Sequence, residues 1–296
     1  MKKKATLALL VGLTLGMSML PADSDAATKK APKKVVKTLS QTVVNPLKDV
    51  KNYKIYYDAP TKAKIEKMKA FDAVIIEPVF YTASQIKELK QNGTKVYGYI
   101  NTMEADNWNT NFITQLNEED FFHRDGARVH YAEWDSYLTD ISSSHYKSVL
   151  LKEIKKQVVD KGMDGAFLDT VGDIDNEHSG TPEILKKQQS EMGLFLKQVK
   201  ESHPSLSLIQ NWGFDTLQAS TYPYVDGIMW ESFNYSTVSK DQWSLNRIQD
   251  LKNMNTTYGI RTLTVSSTEG TKSKAFADKN GFIHLKSNAD LNYNQF

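Results

Sequence analysis

Two acidic side chains, Asp169 and Glu231, each end a run of apolar residues that reads as a buried strand. Asp169 closes the segment Met163–Asp169, and Glu231 closes the segment Tyr224–Glu231. A parallel strand that is buried on both faces is expected to be apolar almost throughout. Its C-terminal end is where an α/β barrel gathers its reactive side chains. Two carboxyl groups that face one cleft are the groups needed to cleave a glycosidic bond.

Each acid also has a structural alternative. Aspartate is a preferred residue at the N-terminus of a helix, so Asp169 alone is equally well explained as a helix cap. Glutamate is not favoured there, and Glu231 follows the apolar run 228–230, where a charge is costly unless it is paired or solvated. A functional role is therefore better supported for Glu231 than for Asp169.

Polar side chains also end most of the other predicted strands. Any one of them could be a cap or a surface residue, but their concentration at one pole is harder to explain by packing. Trp212 and Trp230 adjoin two of these ends, and an aromatic face beside carboxylates suits a sugar ring. Core packing is expected for at least one of the two tryptophans. The polar strand-end residues that become substrate-binding candidates are Asp58, Glu77, Asn101, Glu104 and Asn211.

The elements that would position these side chains alternate in type from residue 53 onward. Eight strand-like segments rich in Val, Ile, Tyr and Phe are separated by helical patterns. Helical spacing of apolar residues is clearest over His145–Lys161 and after Pro182, a residue that suits a first helical turn. The alternation predicts an α/β fold, a (β/α)8 TIM barrel in a single domain. The predicted strands are Tyr53–Asp58, Asp72–Glu77, Thr94–Asn101, Gly165–Asp169, Leu206–Asn211, Val225–Glu231, Ile260–Ser266 and Phe282–Lys286.

An open, doubly wound sheet is the structural alternative to the barrel. It requires a reversal of strand order, which a sequence does not show. The first strand is followed by no glycine-rich phosphate loop, which disfavours that fold. One connection, Glu104–Ser144, is long for a barrel loop and rich in Trp, Phe and Tyr, so it is expected to form an aromatic flap beside the cleft.

The first 26 residues have the pattern of a secretory signal peptide. Three lysines precede the apolar run Ala5–Leu20, and Ser24-Asp25-Ala26 is a suitable cleavage site. A retained membrane anchor is the alternative, but the run is short for a spanning helix. The predicted organisation is a signal peptide over residues 1–26, a basic flexible leader over 27–50 and the barrel domain over 51–296. The mature protein is expected outside the cell and free of the membrane, with cell-wall association left open.

Charge and composition exclude several partners and cofactors. Five lysines and no acids fall within residues 27–37, which more than accounts for the net charge of +2, so the domain is mildly acidic and nucleic-acid binding is not expected. The six histidines have no metal-ligand spacing, and no Gly-x-Ser-x-Gly motif occurs. Asp169, Asp173 and Asp175 fit a calcium loop poorly, because its glycine and distal glutamate are misplaced. Neither a metal nor a cofactor is expected.

At these same residues the chain resembles the endo-α-1,4-polygalactosaminidases of glycoside hydrolase family 114. The resemblance runs from about residue 54 to residue 286 and implies a (β/α)8 barrel that cleaves inside chains of α-1,4-linked, partly N-acetylated galactosamine, an exopolysaccharide. It places the catalytic pair on Asp169 and Glu231 and adds Trp134 and Asp140 to the substrate-binding candidates. The segments that carry it are Phe71–Glu77, Val96–Asn101 with Glu104, Trp134 with Asp140, Gly162–Asp169, Gln210-Asn211 and Val225–Ser232.

The sequence departs from the family pattern directly after Asp169. Residues 170–173 are Thr-Val-Gly-Asp, where the family has a second polar residue and then another aspartate. A substrate contact that the resemblance would place there is therefore in doubt.

The roles expected of the pair are Asp169 as nucleophile and Glu231 as general acid and base. Burial after an apolar strand would raise the pKa of the Glu231 carboxyl and let it start protonated. The separation of the two carboxyl groups decides between retention and inversion, and the sequence leaves it open. Acidic groups such as Glu77, Glu104 and Asp140 are expected to pair with substrate ammonium groups.

Two other functions remain open on the sequence. One is a barrel that binds polysaccharide without cleaving it, and the other is a glycosidase of the same architecture that acts on a different glycan. A polysaccharide is the expected partner in each case. The chain is expected to act as a monomer.

Overall fold

The computed structural model describes residues 44–296. The expected signal peptide, and the expected leader up to residue 43, lie outside the described residues. Within the described part, strands and helices alternate along the chain, and eight strands form one parallel sheet. The sheet follows chain order and curls until the eighth strand lies beside the first, which makes a nearly closed barrel. The expected (β/α)8 TIM barrel is confirmed.

Each barrel strand coincides with one of the eight predicted strands, and no end differs by more than two residues. The register places Asn101 at the end of the third strand opposite Asp169 at the end of the fourth. Polar strand ends that are distant in sequence therefore lie side by side. In chain order, the first to the eighth barrel strands are Tyr53–Tyr56, Ala73–Ile76, Lys95–Asn101, Gly165–Asp169, Ser207–Asn211, Gly227–Trp230, Arg261–Ser266 and Ile283–Lys286.

The barrel strands are apolar almost throughout because both faces of the sheet are covered. Alternate side chains fill the inside of the barrel, among them Phe167, Ile209 and Met229. Their neighbours along each strand point outward and pack under the helices, as Leu168 and Trp230 do. Full burial of a large apolar side chain contributes about 1.5–3 kcal/mol, so both layers stabilise the barrel.

The Asp-Gly pairs that precede two of the strands have a defined structural role. Asp164 Oδ2 accepts the backbone N–H of Val96 at 2.9 Å, and Asp226 Oδ2 accepts a backbone N–H of the fifth strand at 3.1 Å. Each aspartate thereby ties the start of its own strand to the preceding strand. The glycine permits close packing, since a Cβ on Gly165 would lie 2.3 Å from the backbone oxygen of Ser207.

The helices cover the outside of the barrel. The helix predicted over His145–Lys161 is Ser144–Ile154, extended by a π-helical turn, and the helix predicted after Pro182 begins at that proline. None of the helices within residues 44–296 is long and apolar enough to cross a membrane. The α-helices are Lys62–Met68, Ala83–Leu89, Thr110–Ile113, Ser144–Ile154, Gly172–His178, Pro182–Ser202, Phe214–Thr216, Tyr235–Val238, Gln242–Tyr258 and Gly270–Lys279; the 3-10 helices are Pro78–Phe80, Lys90–Asn92 and Glu118–Asp120; the π-helical turns are Lys155–Val159 and Leu217–Thr221.

The packed domain begins before the expected boundary at residue 51. Leu47 is fully buried and Val50 nearly so, and both belong to the core inside the barrel. The Asn45 amide donates to the backbone oxygens of Asp226 and Gly259 at 2.7 and 2.8 Å. The last residues of the expected leader therefore close the pole at which the strands begin, opposite the acidic strand ends.

The long connection after the third strand forms a small antiparallel sheet of its own. The strands Glu104–Asp106, Ser136–Leu138 and His130–Tyr131 pair in that order. A separate hairpin pairs His123–Arg124 with Ala127–Arg128. Because the first of these strands starts three residues after the third barrel strand ends, the small sheet rises from the C-terminal pole, where the aromatic flap is expected.

Candidate active site

Three neighbouring strand ends bring Asp169, Asn211 and Glu231 together. Asp169 and Asn211 are the last residues of the fourth and fifth strands, and Glu231 directly follows the sixth. Asn211 Nδ2 donates to Asp169 Oδ1 at 2.7 Å and to Glu231 Oε2 at 2.9 Å. Because both bonds start from one nitrogen, these two oxygens lie no more than about 5.6 Å apart, a distance comparable with the separations seen between paired glycosidase carboxylates. The two acids singled out in the sequence are thus joined through the side-chain amide of Asn211.

The residue after each of these three side chains has a left-handed backbone conformation. The φ angle is 61° at Thr170, 52° at Trp212 and 58° at Ser232. Residues other than glycine rarely adopt this region, and a β-branched residue such as threonine does so least readily. The strain is on the order of 1–2 kcal/mol per residue, and strain of this kind clusters at functional sites. The same sharp turn therefore follows every member of the Asp169–Asn211–Glu231 group.

Glu231 is held through both of its oxygens. Oε2 accepts from Asn211, and Oε1 accepts a 2.6 Å hydrogen bond from the hydroxyl of Tyr293. Burial, and after it the charge of Asp169, raise the pKa of the Glu231 carboxyl above its ordinary value. The two hydrogen bonds act in the opposite direction without cancelling the rise. Glu231 is therefore suited to carry a proton when it meets a substrate.

The Asp169 carboxylate is held in place by hydrogen bonds that it accepts. Its Oδ1 receives the N–H of Thr170 at 2.8 Å as well as the Asn211 amide. Tyr99 lies against Asp169, and burial, followed by that carboxylate, raises the pKa of the Tyr99 phenol well above its ordinary value. Tyr57 packs edge-on to Tyr99, with ring centroids 5.1 Å apart. Asp169 and Glu231 thus lie close to the rings of Tyr57 and Tyr99, whose hydroxyls stay protonated.

Asn101 and Thr170 connect the end of the third strand to the end of the fourth. The Thr170 hydroxyl donates to Asn101 Oδ1 at 2.7 Å and accepts the backbone N–H of Met103 at 2.8 Å. Asn101 Nδ2 donates to Asp106 Oδ2 at 3.0 Å, and Asn101 Oδ1 accepts the N–H of Glu104 at 3.2 Å. Asn101 is thus a positioning residue that ties the small antiparallel sheet to the Asp169 side of the cleft.

Glu104 and Asp173 form a second pair of carboxyl groups beside the first. Burial raises the pKa of both carboxyl groups. The contact between them raises the pKa of Asp173 further and partly offsets the rise at Glu104. The Glu104 carboxylate also accepts from the Ser136 hydroxyl. Asp173 Oδ2 has no hydrogen-bond partner among residues 44–296. Asp173, the aspartate in the departing stretch 170–173, is therefore buried close to Glu104 and Asp169.

Glu77 and Asp106 are two further acidic residues in this region, since Asp106 lies close to Glu104 and Glu77 lies close to Asp106. Burial raises the pKa of Glu77 to about 8, against the pull of a hydrogen bond from the backbone N–H of Val79. Burial likewise raises the pKa of Asp106 to about 7, and the charges of Glu104 and Asp169 add to the rise. Carboxyl groups gathered this closely favour a cation as their partner.

Two of the other candidate residues, Asp140 and Trp230, have structural roles. The Asp140 carboxylate accepts the backbone N–H of Ser142 at 2.8 Å and the Gln188 amide at 2.7 Å, which anchors the helix Pro182–Ser202. Trp230 is 2% exposed and packs among aromatic rings in the outer layer, so it offers no face to a sugar. Its direction follows from strand alternation, because Glu231 beside it points into the barrel mouth.

The remaining candidates lie at the edge of the site or beyond it. Asp58 follows the first strand near Tyr56, whose pKa burial and the Asp58 charge both raise. Trp134 lies in the turn before the strand Ser136–Leu138, and no contact joins it to Asp169 or Glu231 among the described residues. Trp212 is partly exposed beside Asn211 and packs edge-on against Phe214 at 5.3 Å. Of the two tryptophans next to strand ends, only Trp212 has surface available.

The site residues that were not identified from the sequence include Tyr99, Asp106 and Tyr293. Tyr99 could have been found, because it lies two residues before Asn101 on the same face of the third strand. Tyr293 follows the last strand in a segment without periodic pattern, so it carries no signal in the sequence. Asp175 is directed away from the site, since its carboxylate accepts from the backbone and hydroxyl of Thr216. Within residues 44–296 no group of three acids or histidines is arranged to hold a metal ion.

Comparison with known proteins agrees with this architecture. The model of glycoside-hydrolase family GH114 matches residues 34–277. The glycoside hydrolase domain of PelA from Pseudomonas aeruginosa is similar in structure, with a TM-score of 0.68 at 18% identity over 82% of this chain and 97% of that domain. Ega3 from Aspergillus fumigatus, solved in complex with galactosamine, gives a TM-score of 0.54 at 16% identity over 82% of this chain and 93% of that one.

At these identities the two structures show a shared fold. No curated protein sequence matches the chain. The family match spans most of the chain, including both strand-end acids. The chain therefore belongs to glycoside-hydrolase family GH114.

Proposed function

We propose that this glycosidase is secreted and hydrolyses α-1,4-linked, partly N-acetylated galactosamine polysaccharide, with Asp169 as nucleophile and Glu231 as general acid and base. The observation that carries the proposal is the single amide nitrogen of Asn211 that bonds both carboxyl groups. This shared bond supports the pairing, because it keeps the two carboxyl groups within reach of one glycosidic bond. Secretion rests on the signal-peptide pattern of residues 1–26.

The separation of the two acids favours retention of configuration. Retaining glycosidases hold their carboxyl groups about 5–5.5 Å apart, and inverting ones hold them about 6.5–9.5 Å apart to admit a water molecule. The two oxygens that accept from Asn211 lie at most about 5.6 Å apart, which is shorter than the separation in inverting enzymes.

The reaction then proceeds in two displacements. Asp169 attacks the anomeric carbon while Glu231 gives its proton to the glycosidic oxygen, so the C–O bond breaks and a glycosyl ester forms on Asp169. Glu231, now ionised, takes a proton from water, and the resulting oxygen nucleophile displaces Asp169 from the anomeric carbon. The raised pKa of Glu231 suits its role as the initial acid. The N–H groups that bond Asp169 Oδ1 suit an ionised nucleophile.

The charge of the cleft supports a cationic substrate. Five carboxyl groups besides the catalytic pair line or adjoin it, and galactosamine units carry ammonium groups when they are not acetylated. Opposite charges raise the local concentration of substrate and its rate of association. The five carboxyl groups belong to Glu77, Glu104, Asp106, Glu153 and Asp173.

A panel of glycans tests the proposal. The mature chain, residues 27–296, is incubated with α-1,4-galactosaminan that is deacetylated, partly acetylated or fully N-acetylated, and with a neutral α-glucan and a wall glycan. We expect new reducing ends and mixed oligomers from the galactosamine polymers, none from Glu231→Gln, and products that retain the α configuration in proton NMR. Binding without new reducing ends would identify a non-catalytic barrel, and cleavage of another glycan alone would reassign the substrate.

A further inference from the structure

A small cavity lies between the ends of the second and third strands and the helix Ser144–Ile154. Its volume is about 30 Å³, which is room for one or two water-sized groups. Tyr99 and Asn101 form its wall on the side of Asp169. Trp108 lies at its rim and is 53% exposed. The cavity thus shares two wall residues with the surroundings of Asp169, because Tyr99 lies against Asp169 and Asn101 bonds the neighbouring Thr170.

Two buried carboxylates in the lining of the cavity have few or no partners. Glu153 is 9% exposed, and nothing within residues 44–296 donates a hydrogen bond to it or forms an ion pair with it. Glu77, 8% exposed, accepts only a 3.3 Å bond from the backbone N–H of Val79. A buried carboxylate without a partner is costly, and the cost falls when a cation or a proton joins it.

Lys161 is the cation nearest to these two carboxylates, and it is otherwise engaged. Its ammonium donates to the backbone oxygen of Pro78 at 2.6 Å and to Gln157 Oε1 at 2.7 Å. It forms no ion pair with Glu77 or Glu153 in the described structure, although it lies close enough for both charges to act on it. One lysine therefore leaves the acidic lining of the cavity incompletely compensated.

The chemistry of the lining selects the kind of ligand. A primary ammonium offers three N–H donors and a positive charge in the volume of one water molecule, which matches two carboxylates around this cavity. An N-acetyl group in its place would bring three further heavy atoms and an apolar methyl group against charged oxygens. The described residues also contain no group of three acids or histidines arranged for a metal ion.

We propose that Glu77 and Glu153 form a pocket for the 2-ammonium group of an unacetylated galactosamine unit, and that this pocket makes the enzyme prefer deacetylated stretches of its polymer. The proposal rests on the proposed function and adds a specificity-determining residue, Glu153, on a helix outside the strand ends. The raised pKa of Glu77 agrees with it, because an empty pocket keeps a proton that an entering ammonium group displaces. Proton release on binding is the corresponding signature.

The test compares Glu153→Gln with wild type on α-1,4-galactosamine oligomers and on their fully N-acetylated counterparts. Loss of one charge-assisted contact is expected to raise KM for the deacetylated oligomers about ten-fold or more, with little change for the acetylated ones. Glu77→Gln serves as a second variant, and thermal melting checks that each is folded. The matched control is Glu183→Gln, an exposed glutamate on the helix Pro182–Ser202. Equal KM ratios in wild type and in both pocket variants would overturn the pocket and leave the proposed function standing.

A binding experiment separates failure of the pocket from failure of the proposed function. D-galactosamine and D-galactose are titrated by NMR into Glu231→Gln, with and without Glu153→Gln. We expect galactosamine to bind more tightly than galactose, and the second substitution to abolish that difference. If the wild type cleaves no galactosamine polymer, the proposed function fails while this titration still decides the pocket. Equal binding of the two sugars before the second substitution would overturn the pocket.

Discussion

The hydroxyl of Tyr293 donates a 2.6 Å hydrogen bond to Glu231 Oε1. Tyr293 is 5% exposed and lies beyond residue 277, where the family match ends. Its neighbour Asn294 is fastened to the barrel mouth, because Asn294 Oδ1 accepts the backbone N–H of Tyr57 at 2.7 Å. One of the two contacts that hold the proposed acid and base therefore comes from the segment that follows the last strand.

Tyr293→Phe is expected to shift the pH dependence of hydrolysis. The phenol stabilises the ionised form of Glu231, so its loss raises the pKa of that carboxyl. The alkaline limb of kcat/KM, where the acid loses its proton, then moves up by about one to two pH units, given roughly 1.5–3 kcal/mol for a hydrogen bond to a charged group. The control is Tyr258→Phe, at a half-exposed ring. An alkaline limb at the wild-type pH would show that Tyr293 does not tune Glu231.

Asn211→Ala is expected to lower kcat/KM by about a hundred-fold while the protein stays folded. The amide fixes the spacing of the two carboxyl groups, and a displacement of about 1 Å at a catalytic group costs rate on that scale. Asn246→Ala, on the exposed face of the helix Gln242–Tyr258, is the control. Initial rates of reducing-end formation measure the effect, and a loss below three-fold would contradict the positioning role of Asn211.

The protein is expected to lose stability between pH 5 and pH 8. Burial raises the pKa of several cleft carboxyl groups, so the folded state binds more protons than the unfolded chain in this window. Stability falls as pH rises wherever the folded state binds more protons, so Tm at pH 8 is expected to be about 5–10 °C lower than at pH 5. The groups concerned are Glu77, Glu104, Asp106, Asp173 and Glu231.

Melting curves across this range, recorded for the wild type and for Glu77→Gln, provide the check. The variant has no charge to bury at position 77, so its Tm should depend less steeply on pH. A Tm that rises from pH 5 to pH 8 in the wild type would show that the cleft acids are ionised at little cost.

Gly165→Ala is expected to destabilise the barrel by about 1–3 kcal/mol through overpacking. The added Cβ would lie 2.3 Å from the backbone oxygen of Ser207, and backbone has little freedom to move away. Gly180→Ala is the matched control, because nothing lies within 4 Å of its Cβ position and its φ is not positive. Urea unfolding of the two variants measures the difference. Equal unfolding free energies would show that the Asp-Gly pair is not there for close packing.

Most of the barrel could be predicted from the sequence, because strands buried on both faces read as apolar runs and each run ends in a polar residue. Asp169, Asn211 and Glu231 were identifiable for that reason. Alternation within a strand also predicts that Trp230 points away from the cleft once Glu231 points into it. That consequence was available in the sequence before the structure.

The remainder of the site could not be predicted from local pattern. Tyr293 follows the eighth strand, and only the path of the chain over the barrel mouth brings its hydroxyl to Glu231. Glu153 occupies a helix position at which an acid is ordinarily solvated, and its burial depends on the second and third strands packing against that helix. The contact between Glu104 and Asp173 likewise depends on how the connection after the third strand folds. Contacts between elements distant in sequence decide all three.

Leu47 and Asn45 fasten the start of the described chain beneath the barrel, on the side away from the paired acids. A surface for immobilisation or a fused protein could be attached ahead of these residues. The enzyme would then be attached at the pole where the strands begin. The mouth would then face outward, toward a polymer too large to diffuse around the protein. Attachment at the C-terminal end would instead involve the segment that contains Tyr293, whose hydroxyl bonds Glu231.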